Sequence, residues 1–417
     1  MDLKSNITLI NGALFSVFAF IGRGISFILL ILLASYIPPS DYGKLSLFNT
    51  VVMLLGFFLT FSTSGYFSIS FFKEEKKVFH QDFTFVILML LFTSGIIALI
   101  FLSFGDYLAN LAGITNNLLW WALVISFTNV PFQLHMDYYR LQEKVYMYGL
   151  LNLGNAVLNA FFSIMLVISF TQGWMGRINA HIGISIFLCF LSIVFFVRRR
   201  FFDFHIKKER MKIILLWGLP QIPHLTTTWI RQGCDQYIIN FHYSTQEVGL
   251  FSFALNMVGI ITMIGMAFNS SNSVSIYQIL SNKTSINKRK TLNNNTRIIF
   301  YVYVIATVLI LLATILFVPY FLPKYIDSLP FFALLSFYGL MVCIYFLYCN
   351  YLFYYGYTKS LMYITFGTSL FHLMLSLLIT QYSLYYTALV YILSQSICVA
   401  LVYFFSKKIL SKELGNN

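Results

Sequence analysis

Phe83–Phe104 reads FTFVILMLLFTSGIIALIFLSF, twenty-two residues without a charge. A helix needs roughly 20 apolar residues to cross the ~30 Å hydrocarbon core of a bilayer. Eleven further runs of this kind occupy approximately 7–36, 43–71, 117–139, 148–170, 177–197, 213–241, 249–279, 297–318, 330–352, 361–380 and 385–405. The pattern predicts twelve spanning helices and an all-α membrane protein. Composition agrees, with 59% hydrophobic and 10% charged residues over 417 positions, so function has to be sought among polar residues inside the membrane.

The net charge of +13 invites a nucleic-acid reading, and the distribution of that charge argues against it. Of the 27 Lys and Arg, 22 fall in segments at alternate span ends, among them Lys73, Lys76, Lys77, Arg140, Lys144 and the dense Arg198–Lys212 loop. The opposite ends hold only Lys44, Arg177 and Lys324. The positive-inside rule therefore predicts both termini in the cytoplasm and no nucleic-acid partner. Trp120, Trp121 and Trp174 fall at the predicted outer interface and Trp217 at the inner one, as aromatic belts do. The run after Lys4 is too long for a signal h-region and reads as a retained first helix. Cys189, Cys234, Cys343, Cys349 and Cys398 all lie in predicted spans without a CxxC pair, so they read as small packing residues; no metal and no cofactor are expected.

The Arg198–Lys212 loop falls at the middle of the chain and predicts bundles of six helices over 1–200 and 213–417, joined by a basic linker, 201–212. The halves look related. Asp41-Tyr42-Gly43-Lys44-Leu45-Ser46-Leu47 and Glu247-Val248-Gly249-Leu250-Phe251-Ser252-Phe253 lie 206 residues apart, and Arg23 corresponds to Arg231 at an offset of 208. With six spans per half the repeats are parallel, and such repeats place a transport site at their interface.

Several stretches resemble the polysaccharide-biosynthesis flippases of the Wzx type, in the multidrug/oligosaccharidyl-lipid/polysaccharide exporter superfamily. They are Gly22-Arg23-Gly24-Ile25-Ser26, the turn Pro38-Pro39-Ser40-Asp41-Tyr42-Gly43, Gly218-Leu219-Pro220-Gln221-Ile222-Pro223, Asp235-Gln236-Tyr237-Ile238-Ile239 and Val248-Gly249-Leu250-Phe251-Ser252. Gln236 stands where that family often has a basic residue. The resemblance implies a MATE-like architecture of two pseudo-symmetric six-helix bundles in a bacterial cytoplasmic (inner) membrane. It also implies alternating-access flipping of an undecaprenyl diphosphate-linked oligosaccharide to the outer face, for O-antigen or capsule synthesis. Membrane lipids, a glycan polymerase and a chain-length regulator are its implied partners.

Residue chemistry is consistent with an anionic ligand. Arg23 falls near the membrane midplane, where an Arg costs roughly 2.5–3.5 kcal/mol to insert and usually faces a cavity or a partner. Arg231 lies deep in the seventh span with Asp235 one turn later, on one face. Two readings stand for this pair, a cavity-facing site and an intrahelical ion pair. Two matched guanidinium forks would suit a diphosphate. Asn49 and Asn256, at nearly equivalent positions on the second and eighth spans, could bond sugar hydroxyls or join helices. His224, beside Gln221 and Pro223, completes the candidate set, on a helix that Pro220 and Pro223 should kink. His135, Asp137 and Arg140 read as a solvated interfacial cluster, and His372 as an interhelical residue.

No phosphate-binding G-x-x-x-x-G-K-[ST] loop, H-E-x-x-H or G-x-S-x-G occurs, and the outer loops are short, so no enzymatic activity is expected. Rival readings are a drug/cation antiporter of the same fold, which Asp235 keeps open, and a membrane glycan polymerase, which should carry a substantial basic outer loop.

Overall fold

The computed structural model describes residues 3–281 and 288–414. Every regular element among them is helical, and the chain divides into two compact units, Met1–Trp229 and Ile230–Asn417. The division falls inside the seventh predicted span.

The first unit contains α1 (Leu3–Tyr36), α2 (Pro39–Leu59), α3 (Tyr66–Lys73), α4 (Lys76–Ala112), α5 (Asn116–Leu141), α6 (Val145–Ile164), α7 (Gly173–Arg198), α8 (Lys208–Gly218) and most of α9 (Ile222–Gln232). Its boundaries follow local chemistry. Pro38 is extended and Pro39 opens α2, which suits a residue with fixed φ and no N–H to satisfy. At the end of α4, Gly113 takes φ +66 and returns its N–H to the carbonyls of Ala109 and Asn110, a left-handed C-terminal stop. The second predicted span breaks after α2 at Phe61 and Ser62, whose φ values are 45 and 60, before the chain resumes as α3. At the far end of α4, Phe67, Phe79, Phe83, Phe196 and Phe201 form a buried aromatic core with Leu134 and Tyr138, joining α3, α4, α5 and α7.

The second unit comprises the end of α9, α10 (Cys234–His242), α11 (Thr245–Ser281), α12 (Lys288–Phe321), α13 (Leu329–Tyr354), α14 (Thr358–Ile379) and α15 (Leu384–Leu414). Small residues let α11 and α13 approach closely. A Cβ on Gly339 would sit 2.8 Å from Val258, and Tyr303 on α12 donates its hydroxyl to the Gly265 carbonyl at 3.1 Å. All five cysteines are buried free thiols, and Cys343 and Cys349 sit in packed apolar clusters of this unit, the role expected of them.

Large apolar side chains cover the outside of these helices. Leu99, Leu102, Phe104 and Leu111 on α4 and Leu309, Leu312 and Leu316 on α12 are all exposed. Water would penalise such a surface and hydrocarbon would not. Among the described residues, ten helices are long and apolar enough to cross a membrane, which makes this a multi-pass membrane protein. Twelve were expected. The fourth expected span exists as α5 but carries Thr128, Asn129, Gln133, His135 and Asp137 along its length. The seventh is broken into α8, a 3₁₀ turn at Leu219–Gln221, α9 and α10. The first break is the kink expected of the Pro220 and Pro223 segment; the second, at Gly233, has no proline.

Candidate functional site: charged residues within the spans

In the second unit the seventh span ends in two charged residues, each held by other helices. Arg231 donates through Nε to the Ser369 hydroxyl at 2.6 Å, through its terminal nitrogens to Gln395 and Thr368, and at 3.5 Å to the Thr365 carbonyl. Asp235 is fully buried. Its Oδ2 lies 2.7 Å from His372 Nε2, and its Oδ1 accepts the Ser376 hydroxyl. The intrahelical alternative is thus not what the structure adopts. Gly233 interrupts the helix between the two residues, and α14 and α15 supply partners to both. His372 is interhelical as expected, with Nδ1 2.9 Å from the Ser394 hydroxyl on α15.

In the first unit, Arg23 lies on α1 and is exposed, next to Gly22, which packs against the side-chain oxygen of Asn152 on α6. Arg177, expected at the outer start of the sixth span, lies in the first turns of α7 and reaches across to α6. One of its terminal nitrogens donates to Asn159 Oδ1 at 3.1 Å and to the Ser163 hydroxyl at 2.9 Å; Asn159 in turn donates to Asn155 at 2.8 Å. Sequence reasoning missed this group. The signal was there: Asn155, Asn159 and Ser163 recur every four residues, a polar stripe on an otherwise apolar helix. Like Arg231, Arg177 is held directly by neutral oxygens.

The remaining candidates are dispersed. Asn49 is exposed on α2, while its neighbour Thr50 is buried and receives Trp229 Nε1 on its carbonyl at 3.1 Å. Asn256 is half-buried on α11. His224 lies in α9, and its side chain is outside the described residues. The expected solvated cluster on α5 needs correction. Arg140 and Asp137 do pair at 2.8 Å, but His135 is buried, 3.2 Å from the Ser192 hydroxyl and stacked on Phe195 at 4.0 Å between ring centres. The aromatic core at this end of the unit encloses it.

The basic loop is organised as well. Arg210 grips Asp82 with two nitrogens and Glu74 at 2.9 Å, and Ser70 donates to Asp82 at 2.6 Å. These bonds, led by the one to Asp82, raise the Arg210 pKa and fasten α8 to α4. Asp203 accepts the backbone N–H of His205 at 3.0 Å and Gln81 at 3.2 Å; the bonds from His205 lead in holding its carboxyl at about 2.

The helical architecture is that of a polytopic membrane protein. An inward-facing multidrug-resistance MATE transporter of the MOP superfamily superposes with a TM-score of 0.74 at 13% identity, over 96% of each chain. The lipid II flippase MurJ in an inward closed conformation gives 0.73 at 16% identity, over 96% of this chain and 90% of that one. At these identities the likeness is one of fold. The family described as polysaccharide biosynthesis protein matches residues 9–277, and the chain belongs to it. No curated protein sequence matches the chain.

Proposed function

We propose that this protein is a flippase that carries undecaprenyl diphosphate-linked oligosaccharide from the cytoplasmic to the outer face of a bacterial inner membrane, for O-antigen or capsule assembly. The reading includes twelve spans in two six-helix halves, both termini inside, alternating access, and a polymerase and chain-length regulator downstream. The observation that carries it is the kind of partner the intramembrane arginines have. Arg177 and Arg231 are bonded directly to amide, hydroxyl and carbonyl oxygens rather than to carboxylates, in a chain of the polysaccharide biosynthesis protein family. A low-dielectric interior with fixed positive charge favours an anion and disfavours a cationic drug. Asp235, on which the drug-antiporter alternative rested, is enclosed with both oxygens occupied.

Within this reading Arg23 is the direct phosphate ligand of the first unit, because it is exposed on its helix. Arg231 would have to release Gln395 or Thr368 to grip a phosphate, so it acts through its charge. Asn49, Asn256 and His224 are assigned to glycan contacts. In proteoliposomes that flip an undecaprenyl diphosphate-linked glycan, Arg23→Ala should slow translocation about tenfold or more, the equivalent of one charge-assisted hydrogen bond. Arg23→Lys should recover part of the loss. Unchanged flipping in Arg23→Ala would remove the phosphate role.

A further inference from the structure

Two titratable groups in the second unit are sealed inside it. Asp235 is 0% and His372 1% exposed, and they meet at 2.7 Å. Intramembrane ionisable residues are costly, and Asp/His chains in transporters commonly move protons. The hydroxyl of Ser394 makes this pair more specific than that generality. Ser394 Oγ lies 2.9 Å from His372 Nδ1 and 3.3 Å from the Tyr391 carbonyl. A serine hydroxyl has one hydrogen to give. When it points to Nδ1, the imidazole is neutral and its Nε2–H donates to Asp235. When it turns to the Tyr391 carbonyl, Ser394 accepts from Nδ1–H and the ring is an imidazolium with both N–H groups satisfied. Both proton states are fully bonded, and a rotation of one hydroxyl converts between them.

We propose that Asp235 and His372 form a proton site of this transporter that loads and releases one proton in each cycle; the coupling rests on the flippase reading above, the site itself does not. The proton arrives from water, adds to His372 Nδ1 and turns the Ser394 hydrogen towards the Tyr391 carbonyl; release reverses these steps, and no other bond changes. The charged and titratable neighbours are Arg231 and Cys234 on the same span, Tyr338 on α13 and Tyr391 on α15, whose ring stands edge-on to His372 at 4.8 Å. With neutral imidazole, Arg231 and Asp235 balance. Loading adds one uncompensated charge to a low-dielectric core, a change that bears on which packing of the unit is preferred. The enclosure has a second consequence. A pair this buried can exchange with water only when α10, α14 or α15 shifts, which ties protonation to conformation.

The site is tested on the full-length protein in nanodiscs by NMR of histidine-labelled rings. One ring signal should pass between protonation states as pH is changed, be missing from His372→Gln and move in Asp235→Asn. A His372 ring fixed in one state across the pH range in which the protein stays folded would overturn the site. Coupling is tested in proteoliposomes with the membrane potential clamped, using an undecaprenyl diphosphate-linked glycan as probe. An imposed proton gradient should change wild-type flipping by up to about tenfold per pH unit, and His372→Gln should flip at a gradient-independent rate. Equal gradient dependence in both proteins, or a response to sodium alone, would overturn the coupling. Wild-type protein that fails to flip the probe would overturn the flippase reading and the coupling with it, while the ring titration would still decide the proton site.

Discussion

Arg231 donates to the side-chain oxygen of Gln395, 164 positions further along the chain, and so fastens the end of α9 to α15. The consequences of cutting this bond depend on which side is cut. Gln395→Leu leaves a guanidinium N–H without its acceptor inside the protein and should cost about 2–3 kcal/mol. Arg231→Met removes the buried charge as well. Thr368 and Ser369 keep their own bonds to the carbonyls of Ile364 and Thr365, at 2.8 Å each, so its cost should be smaller. Thermal unfolding in detergent, followed by a thiol-reactive dye on the five buried cysteines, should rank Gln395→Leu as the less stable protein.

Arg210 and Asp82 offer a sharper contrast. The Asp82 side chain is 2% exposed, and removing Arg210 would leave its carboxylate with Ser70 and little else. Arg210→Ala should therefore cost about 3–5 kcal/mol, and Asp82→Asn less. A double-mutant cycle should return a coupling of roughly 1–3 kcal/mol, whereas additive effects would show that α8 is held by its apolar contacts.

Gly218 sits where α8 meets the turn after α2. A Cβ there would stand 2.5 Å from the Phe61 carbonyl oxygen and 3.1 Å from the Thr63 nitrogen. Gly218→Ala must displace backbone and should lose about 1–3 kcal/mol. Gly56, inside α2, has open space around it, so Gly56→Ala should gain about 0.5–1 kcal/mol through helix propensity. Opposite shifts in melting temperature for the two variants are the expected outcome.

Asp203 makes the segment between α7 and α8 acid-sensitive over a defined window. Its folded carboxyl titrates at about 2 against about 3.9 for a free aspartate, so its contribution is complete above pH ~4 and is lost as pH falls through about 2. Pepsin cleavage between residues 201 and 207 should rise across that window in the wild type. In Asp203→Asn it should already be elevated at pH 4.

How much of this was legible beforehand depends on the kind of interaction. Apolar runs marked most helix positions, because hydrocarbon imposes length and composition on each segment independently, and short motifs such as Gly22–Ser26 and Gly218–Pro223 pointed to the family. Pro220 and Pro223 announced the first break of the seventh span. The break at Gly233 was hidden, since a lone glycine is tolerated in helices and only the partners of Arg231 and Asp235 on α14 and α15 fix the local path. Apart from Gln395 and His372, those partners are serines and threonines, which in a sequence read as ordinary small residues. His372 was recognisable as interhelical, but its link to Asp235 spans 137 positions and no local spacing encodes it. Arg177 was counted only as a charge at a span end, because its bonds to Asn159 and Ser163 come from the neighbouring helix and leave no mark on its own segment.

The helices of the first unit also differ greatly in length. α4 has 37 residues and α2 has 21, so at 1.5 Å per residue they measure about 55 Å and about 32 Å. A slab of hydrocarbon near 30 Å matches the shorter rod and falls well short of the longer. Tilt or protrusion has to absorb the difference, at a cost of fractions of a kcal/mol for each ångström of mismatch. Acyl-chain length therefore acts on α4 and α2 unequally, and lipid composition is itself a variable that strains this unit.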